Sequence, residues 1–219
     1  MSMFLGPIHQ WLYNKIQNGA ERASAIEDAF KEAFGAEADA LIGELDDSYP
    51  AFPVGIPLED IIGDAQIHPF LMGLIRMVET REGALIAAFT NKFADKAADI
   101  ALATAEEFGK KTGDAAKGEV NAGDMQSLYK ALYDRQLDGM PCDQGAQPEL
   151  SGDKLVITQS ECLHSNNWKE AGAPLELMCK ITGAWMKGFL AGSTSGMQYN
   201  IEDSVINGSG ACKYCISPA

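Results

Sequence analysis

Cys162 and His164, one residue apart in Cys162-Leu163-His164, are the two side chains best spaced for joint chemistry. The residues leading to them alternate as a strand does, and this spacing predicts one strand over Lys154–His164. Successive side chains of a strand point to opposite faces, so Val156, Thr158, Ser160, Cys162 and His164 are expected on one face. A thiol beside an imidazole is a nucleophile with its base, and the same two groups suit zinc. The competing reading is a half-buried cysteine next to a surface histidine at a strand end. Cys142, in a nearby loop, and Trp168 are expected to accompany the pair.

Two further groups bear chemistry. Cys212-Lys213-Tyr214-Cys215 has the spacing of a dithiol. Strand periodicity sends positions 212 and 215 to opposite faces, which opposes redox pairing. His9 and His68 sit on otherwise apolar helical faces, where each is either a structural imidazole bonded to backbone or half of a shared ligand site. Trp11 and Trp185 read as core or as pocket wall.

Those two histidines are mates in an internal repeat. A shift of 59 residues aligns Ile8–Ala38 with Ile67–Ala97 without a gap. It matches Ile8/Ile67, His9/His68, Leu12/Leu71, Ile16/Ile75, Arg22/Arg81, Ala25/Ala84, Ala29/Ala88, Phe30/Phe89, Phe34/Phe93 and Ala38/Ala97. Alanine bias does not pair histidine, arginine and phenylalanine, so a duplicated helical unit is expected. Within each copy apolar residues recur at helical spacing, and Pro7 and Pro69 suit first turns. The proline-rich stretch Asp46–Leu58 reads as a connector, Gly113–Gly123 as a loop and Asp124–Leu137 as a helix. Gly139–Gly152, with Pro141 and Pro148, closes the helical part.

Beyond it the expected order is a strand, a loop over Ser165–Ala173, a helix from Pro174, and strands Met197–Ser204 and Ala211–Ile216 around Asn207-Gly208-Ser209-Gly210. On that helix Ala184, Gly188 and Gly192 recur every fourth residue, a face for close packing. The fold class is α+β: a duplicated helical part (1–138, copies 8–38 and 67–97), then a small antiparallel sheet with one packed helix (152–219), together forming one compact domain.

A net charge of −14 and a pI near 4.5 repel phosphate backbones and anionic lipid, arguing against nucleic acid and membrane partners. No apolar run is long enough to span a bilayer. Residues 1–16 lack a basic start and a small-residue cleavage site, so a cytoplasmic chain with reduced or metal-bound thiols is expected. Small-residue helix faces and a terminal hairpin offer surfaces for a homo-oligomer.

Two resemblances bear on function. Cys179, Lys187-Gly188-Phe189-Leu190-Ala191-Gly192, Ile201-Glu202-Asp203, Gly208 and Cys212-Lys213-Tyr214-Cys215-Ile216 resemble the C-terminal half of 4-vinyl-reductase-type domains, which hold small molecules. Some members bind structural zinc, which would carry over to Cys179 and Cys212 with Glu202, although Ser204 stands where a further cysteine is expected. Gln66–Ile75, Phe93–Ala97, Cys162-Leu163-His164, Trp168 and Gly208–Cys212 resemble the L-2-amino-thiazoline-4-carboxylic acid hydrolase family.

Two functional expectations follow. One is a hydrolase of a cyclic C–N bond in a small sulfur- or nitrogen-containing substrate, with Cys162 and His164 catalytic. The other is a non-catalytic, sensor-like module holding a small molecule, zinc or haem. Its ligand-binding set is His9, His68, Trp11, Trp168 and Trp185, and its metal set is Cys142, Cys162, His164, Cys179 and Cys212.

Overall fold

A computed structural model describes residues 6–143 and 145–219. The first part of the leader reading therefore lies outside the described residues. The architecture is α+β, a helical assembly followed by an antiparallel sheet.

Helix α1 (Pro7–Phe34) begins on a proline, whose missing N–H costs nothing in a first turn. It buries Leu12, Ile16, Ala23, Ile26 and Phe30 at helical spacing. It stops at Gly35 (φ 55°), and α2 (Ala36–Asp46) follows at once. The connector 47–57 leads to one short turn, α3 (Leu58–Ile61). Helix α4 (Ile67–Phe93) repeats the plan, breaking at Ala94 (φ 49°) before α5 (Asp95–Ala116). The two breaks lie 59 residues apart and share a ψ of −132°. Residues paired by the 59-residue shift meet across the α1–α4 contact: Phe30 stacks on Phe89 at 4.1 Å, and His9 lies edge-on to His68 at 5.4 Å.

Helix α6 (Met125–Tyr133), capped by the Asp124 carboxylate on the Gln126 N–H, brings the chain to the sheet. Strands β1 (Gln147–Ser151) and β2 (Lys154–Gln159) form a hairpin, and β3 (Met197–Asp203) and β4 (Cys212–Pro218) a second, in the order β1-β2-β4-β3. Between them lie α7 (Ser165–Glu170) and α8 (Leu175–Ser193).

Several expectations change here: the loop expected over Ser165–Ala173 is helical from Ser165 to Glu170, and α5 runs on to Ala116 inside the loop expected over Gly113–Gly123. The strand into Cys162-Leu163-His164 ends at Gln159, where its pairing with β4 ends at Cys212, and the chain then turns into α7. Residues 160–164 therefore do not alternate as a strand. Within the proline-bearing closing segment, Gln147–Ser151 pairs as an edge strand, where Pro148 sits at the sheet margin.

The small face of α8 is consumed inside the molecule rather than offered to a second copy. Gly188 and Gly192 lie against α5 so closely that an added Cβ would land on the carbonyls of Glu106 and Lys110. Gly109 and Gly113 of α5 meet the backbone at Trp185 and Phe189 in the same way. Four glycines bring the two backbones together, and Ala97, Ala101 and Ala105 extend the stripe along α5. The larger apolar cluster draws on α1, α4, α5, α8, β2 and β4 together, so the helical part and the sheet share a core. A smaller cluster lies around Leu12, Tyr13, Leu58 and Leu71. No described helix is long and apolar enough to cross a membrane.

Candidate functional site

The most unusual chemistry in the molecule is a set of charges buried between α1, α4 and the segments following α6 and β2. Lys15 is 1% exposed and Asp138 7%, and the ammonium donates to the Asp138 carboxylate. The Lys15 Nζ also lies 4.3 Å from the ring centres of Trp11 and Tyr133, which sit side by side 5.2 Å apart, within cation–π range of both. The Trp11 indole N–H is fixed on Asp134 at 2.9 Å. Burial pulls the Lys15 amine below the ordinary lysine range against the attraction of Asp138, and burial likewise raises the Asp138 carboxyl.

Nearby, Arg22 grips Glu82 with two 2.7 Å bonds, and Glu79 receives His164 and Asn167. The His164 Nδ1 lies 2.7 Å from Glu79, and the ring stacks on Trp168 at 4.9 Å. Burial works against a charged His164, but the charge and hydrogen bond of Glu79, with Asp138 beyond, hold the imidazole above the ordinary histidine range. Charge balance points the same way. Lys15 and Arg22 face three carboxylates, Glu79, Glu82 and Asp138, and a protonated His164 makes the group neutral.

A polar cavity of about 280 Å³ opens onto this network. Lys15 and Asp138 lie in its wall, with Trp11 and Tyr133 beside them and Gly139–Pro141 and Gly145–Gln147 completing the lining. A separate, smaller hollow under Tyr133 and Asp138 reaches Gln159 and Tyr214.

The residues singled out from sequence fall into three groups. Cys162 and His164 are not joined as nucleophile and base. The His164 Nδ1 is taken by Glu79, while the Cys162 thiol is pushed up by burial, away from thiolate. The second group is sulfur-rich. Cys212 lies near enough to raise the Cys162 thiol, and both lie near enough to raise that of Cys179, beside a buried Tyr199 hydroxyl with no partner among the described residues. Burial, with these neighbours, pushes the Cys179 thiol up to about 11. Cys215 instead faces Lys154 on the far side of β4, as strand periodicity requires. Cys142 is exposed beside Asp143, and Trp185 is core.

Among the described residues no three histidine, cysteine or acidic side chains gather as a metal would need. The zinc set implied by the vinyl-reductase resemblance does not fit: Glu202 is held by Lys213 at 3.2 Å and Lys154 at 3.5 Å, and Ser204 offers no thiolate. His9 and His68 form the third group. Their Nε2 atoms are 3.4 Å apart. Two ligands on opposite sides of an iron need about 4 Å between nitrogens, at roughly 2 Å per bond. The His9 Nδ1 accepts from the Gly6 N–H at 3.2 Å, which places the His9 proton on Nε2, directed at His68. The contact is a hydrogen bond between rings, and it does not fit an axial haem pair.

Lys15, Glu79, Glu82 and Asp138 escaped the sequence reading. Lys15 interrupts the apolar stripe Leu12, Ile16, Gly19, and Glu79 and Glu82 interrupt Ile75, Val78, Leu85, so charges at core positions were the available signal. Asp138 lies in a loop and gave none. No protein-family model, curated protein or solved structure matches this chain.

Proposed function

We propose that this chain binds a small polar molecule in the cavity over Lys15 and Asp138. The observation that carries the reading is a buried lysine, clasped by one carboxylate and two aromatic faces, in the wall of a cavity of about 280 Å³. A buried ion pair is a poor source of stability, because desolvation of both charges offsets their attraction. Retaining one beside an open cavity is economical when a ligand uses it. The ligand sits against Trp11 and Tyr133 and exchanges hydrogen bonds with Lys15 and Asp138. A cytoplasmic location and a homo-oligomer belong to the same proposal, any self-association using the exposed edges of β1 and β3.

The test is a fragment screen by ligand-observed NMR on the wild type and on Ala146→Phe, which fills the cavity. Hits that vanish in the variant, with its unfolding temperature little changed, support the reading. Hits that persist in it would place the binding elsewhere and overturn the proposal.

A second reading, hydrolysis of a cyclic C–N bond, draws on the His164–Glu79 pair, an imidazolium held by a buried carboxylate and so placed to give a proton as a general acid. Turnover of L-2-amino-thiazoline-4-carboxylic acid that His164→Gln abolishes would support it. Absence of turnover in the wild type would remove it.

A further inference from the structure

We propose that Lys15 is a carbonyl-capturing amine, condensing with a small uncharged aldehyde or ketone in the cavity to give an imine, with Asp138 carrying the protons. This names the chemistry of the ligand site proposed above and rests on that reading.

The geometry supplies each requirement. Lys15 and Asp138 share the cavity wall, so an entering carbonyl meets an amine and a proton carrier together. Among the described residues the ammonium has one hydrogen-bond acceptor, Asp138, and its remaining surroundings include the faces of Trp11 and Tyr133 at 4.3 Å. Ring faces stabilise a cation without accepting a strong hydrogen bond, so they leave the nitrogen lone pair available once the proton moves to Asp138. Burial favours that transfer, because it lowers the amine and raises the carboxyl. Lysines desolvated in this manner are the ones that act as nucleophiles.

The cavity also selects the carbonyl. No second cation lines it among the described residues, and Asp138 repels an anion. A carboxylate or phosphate on the ligand would go unmatched in a chain already carrying a net charge of −14. An uncharged aldehyde or ketone has no such penalty.

The step balances within the pair. The neutral Lys15 amine attacks the carbonyl carbon, forming the C–N bond as the carbonyl π electrons pass to oxygen, which takes the Asp138 proton. The nitrogen returns one proton to Asp138, giving a carbinolamine. Asp138 then protonates the hydroxyl, the C–O bond breaks, water leaves, and the nitrogen lone pair completes the C=N bond. Amine, carboxylic acid and carbonyl thus become an iminium, a carboxylate and water. The iminium keeps the positive charge of the original ammonium, so Asp138 and the two rings stabilise the product as they stabilised the ion pair.

The test uses the wild-type chain with acetone and sodium cyanoborohydride at pH 7, followed by peptide mapping of isopropylated lysines. Lys15 should be modified at least tenfold faster than any exposed lysine, the preference should vanish in urea, and Asp138→Asn should slow it. Labelling of Lys15 no faster than that of exposed lysines would overturn the proposal. If fragments bind the cavity and are lost in Ala146→Phe while Lys15 is not trapped, the imine alone fails; if neither occurs, the ligand site fails with it.

Discussion

Replacing Lys15 by methionine keeps most of the side-chain volume and removes the only cation that Asp138 bonds among the described residues. Breaking a buried pair from one side costs about 3–5 kcal/mol, because the remaining charge is uncompensated. Two weakened aromatic contacts add to this, at about 0.5–2 kcal/mol each. In a chain of 219 residues the loss lowers the unfolding temperature by roughly 2–4 °C per kcal/mol, so a fall on the order of 20 °C is expected. Asp138 can limit the damage by taking up a proton. With its folded pKa raised above the unfolded value, that relief is complete below the unfolded carboxylate pKa and is lost as pH rises through the folded one. The Lys15→Met penalty should therefore grow with pH. Removing both partners is different: Lys15→Met with Asp138→Leu should cost far less than either single change and come out near neutral or stabilising. Urea unfolding of the four proteins at pH 6 and pH 8 measures the coupling directly. Single variants costing under about 1 kcal/mol, or a double variant equal to the sum of the singles, would refute the claim that these charges are coupled in a desolvated site.

Gly188→Ala should disrupt the α5–α8 contact, since its methyl meets the Glu106 backbone and neither helix has a flexible side chain there to give way. A loss of about 3 kcal/mol or more in thermal unfolding is expected, at or beyond the top of the usual overpacking range. At the two helix breaks the signs oppose: Ala94→Gly should stabilise and Gly35→Ala destabilise, each by about 1 kcal/mol, because both positions hold a positive φ that glycine tolerates and alanine does not. Equal signs in denaturant unfolding would contradict this. For His164 the folded pKa is raised, so its pairing with Glu79 contributes fully below the unfolded histidine value and is lost as pH rises through the folded one. Glu79→Gln should accordingly bring the His164 NMR titration midpoint down. The gap in stability between this variant and the wild type should be widest in acid and narrow toward alkaline pH. A midpoint that stays in place would show that Glu79 does not hold the imidazolium.

Helical spacing along 7–34 and 67–93, the connector near Pro50 and Pro53, the glycine turn before Cys212 and the small-residue face of α8 were all legible, because each is a local pattern of residue type and period. The matching breaks at Gly35 and Ala94 lie 59 residues apart, a regularity visible only in backbone dihedrals. The register of Cys162 and His164 was misjudged for a physical reason. Alternation continues in the sequence past Gln159, but the strand lasts only as long as β4 offers partners. The site itself was decided by tertiary structure. A lysine inside an apolar stripe signals burial, yet its carboxylate arrives from a loop 123 residues away, and nothing local to Asp138 announces it. Sequence thus determined which faces are apolar and where the first turns of α1, α4 and α8 fall. Which charges are forced together out of water depended on how those faces closed, since the energy of a buried charge is set by its neighbours in space and not by those along the chain.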